Sequence, residues 1–349
     1  MAADFPIFEG PYLHDILDQP RALEATLAGL NCPKELPALA QRLRNGEFRC
    51  LVLTGMGASF HALHPSNLEF IQRGIVTVMV ETSELVHYQS RLLDPGTLIV
   101  AVSQSGQSVE MLRLLEANAG RCEIIAVTNT PRSPLAENAS VAILTAAGKE
   151  FSVSCKTYVA ALMALKWLSA ALTDDDLESV REELSLSSGA VGAYLQHWRQ
   201  HAESLTRRLD EIRHLFLVGR GPSLAAAFTG ALAIKESDHF PAEGMSSAAF
   251  RHGPFEMLSH KTFVLIFASE GPARELSLRL LRDIRDQGGE AELVGAESDY
   301  PPSKVLSVPQ SVRPILEILP PQMFTLALAA RMGREAGRFE LASKVTTIE

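Results

Sequence analysis

Two stretches of this chain repeat one another, and that repetition decides its architecture before any single motif does. The apolar run Cys50–Leu53 leads into Gly55-Met-Gly-Ala-Ser59, and Leu215–Val218 leads into Gly219-Arg-Gly-Pro-Ser223. Each reads as a buried strand ending in G-x-G-x-S. The parallel continues with Leu98–Val102 against Phe263–Phe267, and with Glu123–Val127 against Glu290–Val294. Helical stretches lie between these strands. Val109–Ala119 offers Met111, Leu112, Leu114 and Leu115 as an apolar stripe, and Glu275–Gln287 offers Leu276, Leu280 and Ile284. Short, continuous apolar strands alternating with amphipathic helices imply parallel sheets covered by helices on both faces. The fold class expected is α/β, with two tandem domains.

A length of 349 residues agrees, since single cores rarely grow beyond about 250 residues. The expected boundaries are an N-terminal segment over 1–26, a first domain over 27–180, connecting helices over 181–213, a second domain over 214–336 and a tail over 337–349. The clearest helix of the first segment starts at Pro20. The stretch Thr173–Arg213 is polar, helix-prone and without strand signals, and opens on Asp174–Asp176 as an N-cap region. Val159–Leu172 is apolar but contains Lys166 and falls short of the roughly 20 residues a membrane span needs. It reads as a core helix.

The net charge of −9, from 32 Lys and Arg against 41 Asp and Glu, supplies no broad basic surface for nucleic acid or anionic lipid. A small anion would have to be held by local amides and hydroxyls. Cys32, Cys50, Cys122 and Cys155 are scattered, with no zinc-ligand spacing, and read as buried thiols in a reducing compartment. No spacing suggests a metal site or a cofactor. The opening residues lack a basic stretch followed by an apolar run, so a cytoplasmic location is expected.

The glycines after the first strand invite a dinucleotide reading, with Glu81 as the ribose-binding acid. The third glycine of that fingerprint is absent, however: Phe60 and Leu224 stand in its place. Val102–Ser108 says more. It follows a buried strand, opens an amphipathic helix, and brings the hydroxyls of Ser103, Ser105 and Ser108 to backbone N–H groups at a positive helix end. Such a loop can bind a phosphate monoester without a lysine. An ordinary serine-capped turn would use the same residues.

Gly57–Ser59, Ser103–Ser108, Val127–Asn129 and Ser154–Lys156 occur in the order and spacing typical of a sugar isomerase (SIS) domain, which the first half resembles. The second half is similar to the isomerase half of glucosamine-6-phosphate synthase, through Gly219–Gly221, Gly230–Glu236, Ala242–Glu243, Arg251–Pro254 and the closing Leu341–Thr346. The resemblance runs from about Leu51 to the C-terminus. It implies two flavodoxin-like (SIS) domains and a phosphate site at Ser103, Gln104, Ser105 and Ser108, with Ser59 and Ser154 completing a sugar pocket. It also implies that Glu236 moves a proton between C1 and C2, that His252 assists ring opening, and that Lys344 on the tail lies at the sugar's reactive end. The implied assembly is a homodimer in which His252 completes the neighbouring subunit's site.

The chemistry suits those residue types. Aldose–ketose interconversion needs a carboxylate that takes a proton beside a carbonyl and returns it to the next carbon. Ring opening suits an imidazole that titrates near neutrality, and a partly desolvated lysine can form an imine with an open-chain ketose. The chain also departs from the synthase. Ala2 stands where the synthase has its glutaminase nucleophile, so no glutaminase domain is expected. Thr229 and Ala233 replace a glutamate and a lysine on the helix of Glu236, and the loop from Glu150 to Ser154 is one residue shorter. The expected activity is therefore conversion of glucosamine 6-phosphate, or a related amino-sugar 6-phosphate, to fructose 6-phosphate and ammonia. The alternatives are a deglycase of glycated-amino-acid 6-phosphates and a non-catalytic sugar-phosphate sensor. The absence of a basic face before the first domain, and the retention of Glu236, His252 and Lys344 together, weigh against the sensor.

Overall fold

The structure, a computed structural model, describes residues 5–268, 273–341 and 343–346. It divides into two compact units. One holds Arg21–Lys149, Lys156–Leu186 and the chain beyond Leu341; the other holds the chain up to Pro20, Glu150–Cys155 and Ser187–Leu341.

The first unit is built on five parallel strands: β1 (Cys50–Gly55), β2 (Thr77–Glu81), β3 (Thr97–Val102), β4 (Glu123–Thr128) and β5 (Val141–Leu144), in the order β2-β1-β3-β4-β5. Side chains alternate between its faces, as the pleat requires. Val52, Ile99, Ala101, Ile124 and Ala126 pack on Leu85, Met111, Leu114 and Leu135 from the helices Thr82–His87, Val109–Asn118 and Pro134–Asn138. Their neighbours Leu51, Leu53, Leu98, Val100 and Ile125 are 0% exposed on the opposite face. The helix Lys156–Thr173 lies against β4 and β5 there, and the helices Leu36–Arg44 and His64–Gln72 pack on it in turn. Fully burying such an aliphatic side chain contributes about 2 kcal/mol. Helix Lys156–Thr173 is the core helix the sequence suggested, with the Lys166 ammonium 2.9 Å from the Glu69 carboxylate. Among the described residues, no helix is long and apolar enough to cross a membrane.

The second unit has four parallel strands, β6 (His214–Gly219), β7 (Ala242–Ser246), β8 (Thr262–Phe267) and β9 (Glu290–Val294), in the order β7-β6-β8-β9. This is the order of the first four strands of the other sheet, so the duplication in sequence is a duplication of topology. Phe216, Val218, Val264 and Ile266 pack on Phe250, Leu280 and Ile284. On the other face, Gly230 of the helix Leu224–Asp238 lets two elements close in: a Cβ there would lie 2.7 Å from the Leu217 side chain and 2.8 Å from Pro321. Pro321 lies in the first turn of the buried helix Leu319–Arg331, whose Phe324 meets Phe263 with ring centroids 5.3 Å apart. Both sheets are thus covered on both faces, in the flavodoxin-like winding.

Three local expectations are corrected. Leu112 is exposed, because it lies about 160° around the helix from Leu114 at 100° per residue, whereas Met111 and Leu114 face the sheet. Leu276 is also exposed; the buried arc of its helix is centred on Ser277, Leu280 and Ile284. Cys32 is exposed, since it sits in the linker between helices Gln19–Gly29 and Leu36–Arg44, and Cys50 is half-buried; Cys122 and Cys155 are buried.

Candidate functional site

In the first unit the chain winds outward in opposite directions from β1 and β3, so the crevice at their carboxyl ends is the switch point at which such sheets bind ligands. Gly55 pairs with Val102 across that seam, and the loops that follow leave side by side. A Cβ on Gly55 would lie 2.9 Å from the Val102 carbonyl oxygen, and Gly57 takes the left-handed φ of +51°. Gly221 repeats that conformation at +57° after β6. The G-x-G pairs are therefore occupied in making a tight turn. Ser59 follows on the short helix Gly57–His61 and is half-buried, and Glu81 is exposed at the end of β2.

The loop after β3 is internally braced. The Ser103 N–H donates to the Val127 carbonyl at 3.1 Å, while Ser103 Oγ accepts the Gly106 N–H at 3.1 Å and Ser105 Oγ accepts the Gln107 N–H at 3.3 Å. The Gln104 carbonyl collects the Asn129 N–H and the hydroxyls of Thr128 and Thr130. A hydroxyl that accepts an amide still has its own proton to donate, so Ser103 and Ser105 can brace the loop and meet an anion. Ser108 occupies the N-cap of Val109–Asn118, yet its side chain makes no bond to that helix's amides. Ser133 and Ser246 behave as ordinary caps, accepting the N–H groups of Ala136 and Ala249. Ser108 is thus placed like a cap and is not used as one.

The tail reaches the same helix. The Val109 N–H donates to the Thr346 carbonyl at 3.2 Å, which puts Lys344, half-buried, two residues from that tie. No periodic pattern in the tail announces this contact, and sequence reasoning missed it.

In the second unit, Glu236 lies in the last turn of the helix Leu224–Asp238 and is half-buried. Tyr12, 0% exposed, stands nearby: burial pushes its phenol up, and Cys155, Asp238 and Glu236 add to that while a bond from Thr325 opposes it. Burial likewise holds the Asp238 carboxyl well above the usual carboxylate range. Ser154, half-buried, is presented by a loop tied at both ends. Glu150 accepts the Cys155 N–H at 2.9 Å, and Asp15 accepts the Phe151 N–H at 2.6 Å. The places of Tyr12 and Asp15 were not legible in the sequence, because their partners come from distant segments; Glu150 bonds five residues along its own loop.

His252 is exposed at the end of the helix Ser247–Arg251 and precedes Gly253 at a φ of +135°. It follows β7 at the carboxyl edge of the second sheet. The helix of Glu236 starts at that edge after β6 and runs back to the start of β7, so twelve residues at 1.5 Å each carry Glu236 about 18 Å away. The topology does not bring Glu236 and His252 of one chain together.

A model of the SIS domain family matches residues 49–171 and 208–294. The glutamine–fructose-6-phosphate aminotransferase (isomerizing) of Pyrococcus horikoshii is 28% identical over 354 aligned residues, covering 98% of this chain and 58% of that protein. The chain therefore spans less than two thirds of the curated relatives it matches. Among solved structures, the C-terminal domain of glucosamine-fructose-6-phosphate aminotransferase from Francisella tularensis superposes with a TM-score of 0.82 at 22% identity, over 95% of this chain and 98% of that one. The glucosamine-6-phosphate deaminase of Thermotoga maritima does so with a TM-score of 0.79 at 19% identity, over 97% and 100%. The two matched segments coincide with the two sheets and with the serine loop between β3 and its helix, and the chain belongs to the SIS domain family.

Proposed function

We propose that the protein is a phosphosugar isomerase of the deaminating kind, which converts a 2-amino-2-deoxyhexose 6-phosphate and water to fructose 6-phosphate and ammonia. The observation that carries the reading is Ser108, an N-cap hydroxyl withheld from its own helix at the positive end where a phosphate is favoured. Ser103, Gln104 and Ser105 hold the same anion, and Ser59 and Ser154 contact the sugar. Glu236 removes the C2 proton of the open-chain amino sugar and returns it to C1, leaving an imine at C2. Water adds there and ammonia departs, which leaves the ketose. Lys344 serves the reactive end of the chain. Similarity to both an aminotransferase isomerase domain and a glucosamine-6-phosphate deaminase supports this class of substrate. Coupled detection of ammonia and fructose 6-phosphate from glucosamine 6-phosphate tests it. Absence of turnover on every hexosamine 6-phosphate sinks it, and cleavage of glycated-amino-acid 6-phosphates would identify a deglycase instead.

The protein acts, in this reading, as a homodimer in which His252 opens the sugar ring in the neighbouring subunit's site. The placement of Glu236 and His252 at opposite edges of one sheet supports the exchange. Mixing Glu236→Gln subunits with His252→Ala subunits should then restore activity. Each mixed dimer carries one site with both native groups, so random exchange returns about a quarter of wild-type turnover, given the near-complete loss expected in each parent. No recovery after subunit exchange would place both groups in one chain's site.

A further inference from the structure

The residue after Glu236 grips the root of the tail. The Gly337 N–H donates to Ser237 Oγ at 2.8 Å, and the Ser237 hydroxyl donates to Asp238 Oδ1 at 3.1 Å. Ser237 and Asp238 are both 0% exposed, so water does not compete for these bonds and each counts for more than it would at the surface. Gly337 is held from the other side by Tyr12. A Cβ at that position would lie 2.5 Å from the ring, and the φ of +73° suits glycine. Tyr12 is itself fixed by the Thr325 hydroxyl, 3.4 Å from its oxygen. Arg334 adds a third tie next to the first: it lies 3.2 Å from His239 Nδ1 and 3.1 Å from the Glu340 carboxylate. Glycine at this point is thus packed close to Tyr12 and bonded to a buried serine.

We propose that Ser237, backed by Asp238, is a positioning residue that fixes the point from which the C-terminal tail departs and so restricts where Lys344 can go. The inference rests on the role proposed for Lys344. Lys344 lies seven residues beyond Gly337, a span of at most about 25 Å of extended chain, and Thr346 is tied to Val109 two residues further on, so a root that slips removes one of the two restraints on where the amine is held. Lowering the local concentration of a reacting group lowers the rate in proportion. The phosphate-binding residues are not part of the clamp, so substrate binding is spared.

The test compares Ser237→Ala with Asp238→Asn, which keeps size and an acceptor oxygen. Ser237→Ala should raise the rate of tryptic cleavage after the exposed Arg338 about tenfold and lower kcat about tenfold, with KM for the sugar phosphate unchanged. Asp238→Asn should leave both within about twofold. Unchanged tryptic cleavage and kcat in a folded Ser237→Ala protein overturn the clamp, as does a rise in KM matching the fall in kcat. If Ser237→Ala does not accumulate, hydrogen exchange at the Gly337 amide of the wild-type protein decides: slow exchange supports the clamp and exchange at the rate of an open chain overturns it. Cleavage and exchange need no substrate, so they judge the clamp even if no hexosamine phosphate is turned over.

Discussion

Glu236→Gln should abolish turnover while leaving the protein able to bind its ligand. Glutamine matches glutamate in size and keeps one acceptor oxygen, but it cannot take up the C2 proton. Removing a general acid or base costs 10² to 10⁴ in rate, so a fall in kcat of about 10³ is expected. Glu236 is on the second unit, in the last turn of Leu224–Asp238, whereas the serine loop proposed to hold the phosphate is on the first. Thermal stabilisation by hexose 6-phosphate should therefore persist in the variant, and KM should change by less than about threefold. A non-catalytic sensor would show neither turnover before the change nor any loss after it. Retention of more than a tenth of wild-type kcat would remove Glu236 as the proton carrier.

What could be read from the sequence was governed by burial. The six strands found in the repeat comparison lie inside their sheets or are buried on both faces, and a continuous apolar run is what such strands show. β7, at a sheet edge, has mixed burial and gave no run to find, so Val78–Val80 of the equivalent edge strand β2 had no counterpart to repeat it; β5, at the other edge, is only four residues long. Helix faces were read with less accuracy, because a run such as Met111-Leu112 puts two apolar residues on different sides of one helix. The serine loop was visible as chemistry, but not the difference between Ser108 and the true caps Ser133 and Ser246, which is a matter of where one hydroxyl points. Least legible were the long-range ties: Asp15 to Phe151, Ser237 to Gly337 and Val109 to Thr346. Each joins segments that no local pattern connects. By contrast, the separation of Glu236 from His252 follows from the βαβ crossover alone, once Ala242–Ser246 is known to be a strand.

Gly106→Ala is expected to cripple phosphate binding with little effect on the fold. Gly106 holds a φ of +63°, where a side chain costs roughly 1 to 2 kcal/mol. The added methyl would stand 2.2 Å from Ser133 Oγ and 3.1 Å from Thr128 Oγ1, so something has to move. Ser133 is not free to yield, because its Oγ caps Pro134–Asn138 by accepting the Ala136 N–H, and giving up that cap costs about 1 kcal/mol more. If the loop moves instead, the Gly106 N–H leaves Ser103 Oγ and the loop loses a bond that braces it. Yielding at Ser133 costs stability alone, whereas a displaced loop must be drawn back into the strained arrangement before an anion binds; that costs up to about 3 kcal/mol, which at 1.4 kcal/mol per factor of ten is a rise in Kd for hexose 6-phosphate of about 100-fold. Gly120 provides the control. It has a similar φ of +75°, but a Cβ there meets nothing within 4 Å. Gly120→Ala should lower Tm by a few degrees and leave Kd unchanged. Equal losses of affinity in the two variants would mean that backbone strain spreads through the first unit, and that the serine loop does not hold the phosphate.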